Sequence, residues 1–286
     1  MVKILGSGSY STVVLAKVKK YEKEHPQLAI KNIDRRQSGD YVKRFLPREI
    51  EIVKTCNHAN ICRVFEIMEF KHYVCFVTEL CEGGDLLDKI NGQKFIPEAD
   101  AKLIFRQLVE ALSYLIEREI VHRDIKCENI FLDKHGNVKL GDFGFARYLR
   151  VGEKSSTYCG SRAYVAPEIL RSVEYTGHTV DIWSAGVVLF VMLTGMMPFN
   201  DKKVPAMVNQ QLQHRIRFPK QPVLSLEACT LIFEILHPHP HSRPTCHQMK
   251  NSEWLKKTTY TMKGPKVSSR NAVNPAGAAV RGSKEG

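Results

Sequence analysis

The sequence lacks cysteine pairs at the spacing of a zinc site, and it lacks long apolar runs. Its eight cysteines are scattered, whereas structural zinc sites usually take ligands from closely spaced pairs. We therefore expect reduced thiols in a cytoplasmic protein. The most apolar run, 185–193, is shorter than the ~20 residues of a membrane-spanning helix and predicts a buried helix instead. No secretory leader opens the chain, and we expect no membrane partner.

Acidic residues are scarce relative to basic ones. The chain has 30 Asp and Glu against 42 Lys and Arg, a formal net charge of +12. Such a surface can attract acidic partners, but the sequence shows no nucleic-acid-binding motif. We expect a solvated basic surface and no nucleic-acid partner. With 286 residues and 43% hydrophobic content, the chain can form two lobes around a sizeable core, and we expect a monomer.

The run 122–144, HRDIKCENIFLDKHGNVKLGDFG, concentrates residues suited to catalysis. Two short apolar segments flank a polar turn, which predicts a hairpin whose ends lie close together. Asp124, Asn129 and Asp142 can therefore converge. Asn129 and Asp142 offer the oxygen ligands that Mg²⁺ prefers. Asp124 would orient and deprotonate an attacking hydroxyl, and Lys126 would face the transferring phosphoryl group.

These motifs, in this order and spacing, resemble the catalytic core of the eukaryotic protein kinases. An ordinary hairpin with charged ends would explain each piece alone but not the set. Lys126, two residues after Asp124, is typical of the serine/threonine branch. The strings GSGSYSTV, FLPREI, HRDIKCEN, DFGFAR and CGSRAYVAPE are similar to those of the testis-specific serine/threonine kinase family, in the calmodulin-kinase-like branch.

The resemblance covers residues 1–257 and implies an α+β, bilobal fold. A small lobe of mainly antiparallel β-structure with one helix should span 1–79, and a hinge should follow at 80–84. A larger, mainly helical lobe should span 85–257, with ATP and Mg²⁺ bound between the lobes. Residues 258–286 are basic and hold almost no large aliphatic side chains. They predict a disordered tail, and a tail that binds acidic partners is the alternative.

Residues 1–20 predict two strands around a Gly/Ser-rich turn, an order that argues against a Rossmann or Walker site. The kinase pattern GxGxxGxV is matched at Gly6, Gly8 and Val13, with Ser11 in place of the third glycine. The resemblance implies nucleotide contacts from this loop, the next strand, the hinge and the hairpin: Leu5, Gly6, Ser7, Gly8, Ser9, Tyr10, Ser11, Thr12, Val13, Ala29, Lys31, Thr78, Glu79, Cys81, Asp85 and Phe131.

The resemblance also gives the residues around the adenine and ribose their roles. Thr78 would be the gatekeeper beside the adenine pocket. The backbone of Glu79 and Cys81 would hydrogen-bond the adenine edge, and Asp85 would lie near the ribose. Gly83 and Gly84 would absorb backbone changes in the hinge.

The lysine of Ala29-Ile30-Lys31 closes a β-rich apolar run. The resemblance implies that Lys31 contacts the α- and β-phosphates and pairs with a glutamate on the following helix. Glu49 is the expected partner, and Glu51 is the competing acid. Pro47 predicts that this helix is short or bent.

The segment that follows the hairpin is polar, lacks periodicity and resembles an activation segment. Thr157 is the expected regulatory phosphosite, with Ser155 and Ser156 as competing acceptors. Its phosphate would meet Arg123 and Arg147 through charge-assisted hydrogen bonds. An upstream activating kinase is implied as the source of this phosphate.

Three supporting contacts are implied by the same resemblance. Glu168 should form a buried ion pair with Arg243. Asp181 should brace the backbone that precedes Asp124. Ser161 should contact the catalytic loop rather than accept a phosphate.

The function implied is transfer of the ATP γ-phosphate to Ser or Thr of protein substrates, in sperm formation. A pseudokinase scaffold is the alternative because Ser11 replaces a glycine. The complete catalytic set favours the active enzyme: Lys31, Glu49, Asp124, Lys126, Asn129 and Asp142. Substrates with a basic residue upstream of the acceptor are expected, because Glu128 and Asp85 offer acidic contacts near the cleft.

Overall fold

The computed structural model describes residues 3–8, 11–17, 27–36, 39, 41–150, 153–155, 157 and 159–262. Its elements form a small, sheet-rich lobe and a larger, mainly helical lobe, joined by a short connection at 80–84. The bilobal α+β fold expected from the sequence is confirmed. Over this described part of the chain, none of the helices combines the length and apolarity needed to cross a bilayer.

The small lobe is built on a five-stranded antiparallel sheet. Its strands are β1 (Ile4–Ser7), β2 (Ser11–Ala16), β3 (Leu28–Asp34), β4 (Val64–Glu69) and β5 (Tyr73–Glu79), in the spatial order β1-β2-β3-β5-β4. The inner strands bury Ile33, Val74 and Phe76, whereas all four side chains of the edge strand β1 are exposed. The sheet therefore has its apolar face on β3 and β5, against the helix that follows β3 in the chain.

That helix, α1 (Leu46–Thr55), is short, as Pro47 predicted. Proline is tolerated in the first helical turn because the N–H groups there have no intrahelical acceptor. A wide π turn, Tyr41–Phe45, leads into the helix. Helix α1 buries Ile52 in the core shared with β3 and β5, and it turns Glu49, only 3% exposed, to the interior.

The large lobe is organised around one almost entirely buried helix. Its helices are α2 (Leu86–Gln93), α3 (Glu98–Glu117), α4 (Pro167–Leu170), α5 (Thr179–Thr194), α6 (Val204–Leu212), α7 (Leu226–Ile235) and α8 (Cys246–Lys250). Helix α5 contains the run 185–193 and is buried on all sides, with α3 and α7 packed against it. It ends at Gly195, whose φ of +68° suits glycine.

Three short antiparallel ladders lie on the large lobe. They pair β6 (Ile120–Val121) with β9 (Arg147–Tyr148), β7 (Ile130–Leu132) with β8 (Val138–Leu140), and β10 (Lys154–Ser155) with β11 (Tyr175–Thr176). The β7–β8 ladder is the predicted hairpin. The interlobe connection docks on it, because the N–H of Gly83 donates to the carbonyl of Leu132 at 2.9 Å. A Cβ at Gly83 would lie 2.8 Å from the carbonyl oxygen of Asp133, so this close approach requires glycine.

Residues 258–262 pack on the large lobe, beyond the boundary expected at residue 257. The hydroxyl of Tyr260 donates to Oδ1 of Asn60 at 2.9 Å, and Asn60 is fully buried. The amide of Asn60 donates in turn to Oε1 of Gln107 in α3 and to a carbonyl of β8. The packed chain thus extends to Met262. The remainder of the expected tail, 263–286, lies outside the described residues.

Candidate active site

Three charged side chains are linked by ion pairs in the cleft between the lobes. Nζ of Lys31, on β3, lies 3.0 Å from Oε1 of Glu49 on α1 and 2.9 Å from Oδ1 of Asp142. The predicted contact between Lys31 and Glu49 is confirmed, and the competing Glu51 is exposed. Burial alone would lower the pKa of Lys31, but the carboxylates of Glu49 and Asp142 outweigh burial and raise it well above its ordinary value. The positive charge of Lys31 in turn holds the pKa of Asp142 below its usual range.

Asp124 accepts hydrogen bonds at both carboxylate oxygens. Its Oδ2 accepts from Nδ2 of Asn129 at 3.0 Å and lies 2.9 Å from Nζ of Lys126. Its Oδ1 accepts from the backbone N–H and the hydroxyl of Ser161, at 3.0 and 3.2 Å. Nζ of Lys126 also donates to Oγ of Ser161 at 3.0 Å, so the expected contacts of Ser161 are confirmed. An acceptor hydroxyl brought here would find a carboxylate base with an ammonium beside it.

The loop that carries Asp124 is held by Asp181, in the first turn of α5. The Asp181 carboxylate accepts the backbone N–H groups of His122 and Arg123 at 2.7 and 2.8 Å, as predicted. Arg123 and Asp142 both have left-handed backbone conformations, with φ of +66° and +57°. Such conformations cost a non-glycine residue about 1–3 kcal/mol and persist only where the surroundings fix them. Both residues lie at the point where the hairpin ends converge.

Asn129 and Asp142 fit a magnesium ion. Asn129 uses Nδ2 to donate to the backbone and side-chain oxygens of Asp124, so its Oδ1 is the atom left for a cation. The side chain of Asp142 is 44% exposed, and its Oδ1 already faces a cation, Lys31. An amide oxygen and a carboxylate are the hard donors that Mg²⁺ takes.

The Gly/Ser-rich turn joins β1 to β2. Gly6 pairs with Val13 and Ser7 with Thr12 in this ladder, and the exposed Leu5 lies next to Gly6. The N–H of Gly8 donates to the carbonyl of Ser11 at 2.8 Å, so the residue at the third glycine position helps to close the turn. Two of the predicted nucleotide contacts lie outside the described residues: Ser9 and Tyr10.

The end of β5 is held by hydrogen bonds and an ion pair to the neighbouring strands. Thr78 is paired with Ala29 of β3, and its hydroxyl donates to the Ala29 carbonyl at 3.4 Å. The Glu79 carboxylate lies 2.8 Å from Nζ of Lys139 on β8 and accepts a backbone N–H from the start of β4. The Glu79 backbone also has partners, because its N–H donates to the carbonyl of Arg63 at 3.0 Å and its carbonyl accepts the Thr78 hydroxyl at 3.2 Å. Its expected bond to the adenine edge stays a prediction. Cys81 follows in the connection between the lobes.

Phe131 and Asp85 meet in an isolated antiparallel bridge at the floor of the cleft. Oδ1 of Asp85 accepts the N–H of Asp88 at 2.8 Å and caps α2, a structural task that the sequence interpretation did not include. A Cβ at Gly141 would lie 2.8 Å from Cε2 of Phe131. The Phe131 ring therefore packs directly against the residue that precedes Asp142.

Three arginines are candidates to bind a phosphate on Thr157: Arg123, Arg147 and Arg48. Nη1 and Nη2 of Arg123 are buried and meet no hydrogen-bond acceptor among the described residues. Arg147 pairs with Glu153 at 2.6 Å. Partial burial lowers the pKa of Arg48, on α1, and the positive charges of Arg147, Arg123 and Arg44 lower it further. This arrangement suits a phosphate group.

Of the two competing acceptors, Ser155 is the one that the structure describes. Ser155 belongs to β10 and is only 5% exposed, whereas Thr157 is half-buried. The carbonyl of Thr157 accepts a hydrogen bond from the hydroxyl of Tyr175 at 3.4 Å. Ser156 is outside the described residues.

The cleft thus has a lysine held by a glutamate on one side and an aspartate held by an asparagine and a lysine on the other. One family model matches the sequence that carries these residues. The model, for the protein kinase domain, matches residues 1–255. The chain belongs to the protein kinase family. Mouse testis-specific serine/threonine-protein kinase 2 is 42% identical over 88% of this chain and 71% of its own length. Human testis-specific serine/threonine-protein kinase 3 is 41% identical over 90% of this chain and 95% of its own length.

A second group of relatives carries a different name. Chicken serine/threonine-protein kinase SIK2 is 37% identical over 88% of this chain but only 31% of its own length. This protein kinase is therefore a serine/threonine-protein kinase similar to the testis-specific group, as the sequence motifs indicated. The pseudokinase alternative is not favoured, since the six residues of the catalytic set are in place.

Several side chains at the site of this kinase were missed by sequence reasoning. The hydroxyl of Tyr41 donates to Oε2 of Glu49. Burial raises the pKa of the Tyr41 phenol, so the hydroxyl stays protonated and can donate. Arg48, Gly141 and Lys139 were also missed. Arg48 precedes Glu49 and Gly141 precedes Asp142, so their position next to a motif residue was the signal that could have found them. The sequence carries no comparable signal for Tyr41 or Lys139.

Proposed function

We propose that this kinase transfers the γ-phosphoryl group of magnesium-bound ATP to serine or threonine hydroxyl groups of protein substrates. The observation that supports the proposal is the pairing of two centres across one cleft. At one centre, Lys31 lies between two carboxylates. At the other, Asp124 is held by an amide, an ammonium and a hydroxyl. The first centre suits phosphates and a metal ion, and the second suits an acceptor hydroxyl.

The acceptor side of the reaction belongs to Asp124 and Lys126. Asp124 orients the acceptor hydroxyl and takes its proton as the new P–O bond forms. Lys126, 2.9 Å from Oδ2, offsets negative charge on the incoming phosphoryl group. Ser161 fixes Oδ1 and holds the activation segment against the base.

The phosphate side belongs to the lysine and to the proposed metal ligands. Lys31 binds oxygens of the α- and β-phosphates, and Glu49 keeps its ammonium in that place. Asn129 and Asp142 would hold the magnesium ion, which neutralises charge on the phosphate oxygens when it is bound. The backbone of the Gly/Ser-rich turn would approach the phosphates from the small lobe.

The test is phosphate transfer from magnesium ATP to a peptide array by the full chain. Asp124→Asn should lower kcat by about 10²–10⁴-fold, the usual contribution of a general base. Asp100→Asn, an exposed position at the start of α3, is the matched control and should keep full activity. Unchanged turnover in Asp124→Asn would refute the assignment of the base.

We further propose that substrates carry a basic residue upstream of the acceptor. Oε2 of Glu128 is buried and meets no hydrogen-bond donor among the described residues. Leaving a buried carboxylate oxygen unpaired is costly, and a substrate guanidinium would satisfy it with a charge-assisted bond. Asp85, the second expected acidic contact, already uses one oxygen to cap α2.

Two peptides that differ only in an upstream Arg or Gln test this preference. Glu128→Gln should reduce kcat/KM for the Arg peptide about tenfold, by loss of one charged hydrogen bond, and should leave the Gln peptide unaffected. Equal losses for both peptides would mean that Glu128 supports the loop rather than the substrate.

Activation by a phosphate on Thr157, added by an upstream kinase, completes the proposal. The buried, unpaired Nη atoms of Arg123 support this part, and Arg147 and Arg48 would add positive charge for the phosphate oxygens. Thr157→Ala should leave the protein folded but weakly active. Kinase activity and phosphosite occupancy, the latter by mass spectrometry, are measured on the same preparation. Full activity without phosphate on Ser155 or Ser156 would contradict this part.

The biological setting is proposed from the relatives. Two of them are named testis-specific kinases, and we propose a cytoplasmic role in sperm formation. Antibody staining of germ cells tests it: absence of the protein from developing sperm would refute the role.

A further inference from the structure

Tyr41 begins the wide turn that leads into α1, eight residues before Glu49. In a regular α-helix of 3.6 residues per turn, eight residues exceed two full turns by about 80°, which would place the two side chains on different faces. A π turn holds more residues per turn and therefore reduces this overshoot. The turn Tyr41–Phe45 thus brings the phenol to the face of the helix that carries Glu49.

The Glu49 carboxylate is held at both oxygens. Oε1 lies 3.0 Å from Nζ of Lys31, and Oε2 accepts the hydroxyl of Tyr41. Glu49 is only 3% exposed, so water has little access to replace either partner. A carboxylate held at one oxygen can still rotate about its side-chain bonds, whereas a carboxylate held at both has one orientation.

The ring of Tyr41 also reaches the turn that follows Asp142. A Cβ at Gly144 would lie 3.2 Å from Cε2 of Tyr41 and 3.7 Å from its hydroxyl oxygen. Tyr41 therefore contacts α1 through its hydroxyl and the Asp142–Gly144 turn through its ring. One side chain ties together the two elements that flank Lys31.

We infer that Tyr41 is a positioning residue for nucleotide phosphates: its hydroxyl fixes Glu49, which in turn keeps Lys31 where the α- and β-phosphates bind. The inference rests on the proposed function, since Lys31 has this task only in a nucleotide-binding kinase. Tyr41 touches neither substrate nor metal in this scheme, and its effect passes through Glu49. Because adenosine lacks phosphates, its binding should not depend on Tyr41.

The experiment compares four full-length proteins: wild type, Tyr41→Phe, Glu49→Gln and the double variant. Calorimetry gives the affinity of each protein for ADP with magnesium and for adenosine. Tyr41→Phe should lower the affinity for ADP about five- to tenfold, within the usual range for coupled residues. It should leave the affinity for adenosine within about twofold of the wild type. In the Glu49→Gln background, the same substitution should lower the affinity for ADP by less than a further twofold. Tyr73→Phe is the matched control, because the Tyr73 hydroxyl accepts from Arg36 at the far end of β5.

Three results would overturn the inference: unchanged ADP affinity in Tyr41→Phe, equal losses for ADP and adenosine, or an undiminished loss in the Glu49→Gln background. Failure of the proposed function gives a different pattern, since the wild type itself would then phosphorylate no peptide. If the wild type is active and Tyr41→Phe binds ADP normally, only the role of Tyr41 is lost.

Discussion

Arg243 donates two hydrogen bonds to the carboxylate of Glu168, at 2.7 and 2.8 Å, between the helices of the large lobe. The Arg243 side chain is completely shielded from solvent, and that of Glu168 is 8% exposed. The guanidinium also lies 4.8 Å from the ring centroid of Trp183. The pair, expected from the sequence, anchors the end of the activation segment to the turn before α8.

Removing one member of this pair should destabilise the fold strongly. Arg243→Ala leaves a buried carboxylate without its cation, and we expect the free energy of unfolding to fall by about 3–5 kcal/mol. Urea denaturation measures it. Lys256→Ala removes an exposed pair with Glu253 and should cost less than about 1 kcal/mol. Equal effects of the two substitutions would contradict the buried-pair argument.

A methyl group at Gly141 should impair nucleotide binding. Its Cβ would approach Phe131 to 2.8 Å and push the ring toward the cleft. Overpacking typically costs about 1–3 kcal/mol, so KM for ATP in Gly141→Ala should rise at least about fivefold. Gly92→Ala is the control, since a Cβ there meets no atom within 4 Å. An unchanged KM would show that the ring moves elsewhere.

Asp181→Asn should lower kcat without unfolding the protein. The asparagine amide replaces one of two oxygens that accept the N–H groups of His122 and Arg123. Displacement of the catalytic loop by about 1 Å can cost roughly 10²-fold in rate. Asp201→Asn, at an exposed site, is the control. Discontinuous peptide phosphorylation assays measure kcat. Equal values for the two variants would exclude a role for the Asp181 hydrogen bonds in catalysis.

Arg48→Ala should uncouple activity from phosphorylation. The guanidinium of Arg48 would add a third cation to those of Arg123 and Arg147, whose positive charges lower its pKa. We expect protein phosphorylated on Thr157 to lose about tenfold in kcat/KM, the worth of one charged hydrogen bond, while unphosphorylated protein stays within twofold. Lys54→Ala, in the last turn of α1, is the control. An equal loss in both phosphorylation states would mean that Arg48 acts on Glu49 instead.

Stability should fall as the solution becomes acidic, partly through His58. Burial lowers the pKa of His58, and its Nδ1 accepts the N–H of Asn60 at 3.1 Å, which requires an unprotonated nitrogen. The unfolded chain takes up this proton near pH 6.5. The unfolding free energy therefore decreases as pH drops below about 6.5 and levels off below the folded pKa. Denaturation at several pH values should show a shallower slope for His58→Gln than for His135→Gln, an exposed control.

The parts of the site that were predictable are those set by short-range sequence. The hairpin geometry places Asp124, Asn129 and Asp142 together because a tight turn fixes its own ends. Lys31 and Glu49 were paired by motif, and Pro47 indicated a short helix. The two lobes were implied by the resemblance of the motifs to those of the protein kinases.

The parts that were missed depend on tertiary packing. The contact of Tyr41 requires a π turn, and nothing in the polar residues before α1 predicts one. The bond between Lys139 and Glu79 joins two strands of different lobes. The boundary at residue 257 was drawn from composition, whereas the Tyr260 hydroxyl packs inside as the donor to the buried Oδ1 of Asn60.

The bond between Tyr260 and Asn60 spans 200 residues of chain, which matters during protein synthesis. At about 5–20 residues per second, a ribosome needs roughly 10–40 s to make that stretch. Until Tyr260 emerges, the amide of Asn60 cannot complete its hydrogen bonds, although the small lobe and α3 have already been made. Docking of Tyr260 onto Asn60 is therefore a late step of folding on the ribosome, because it joins later-made residues to a segment made well before them.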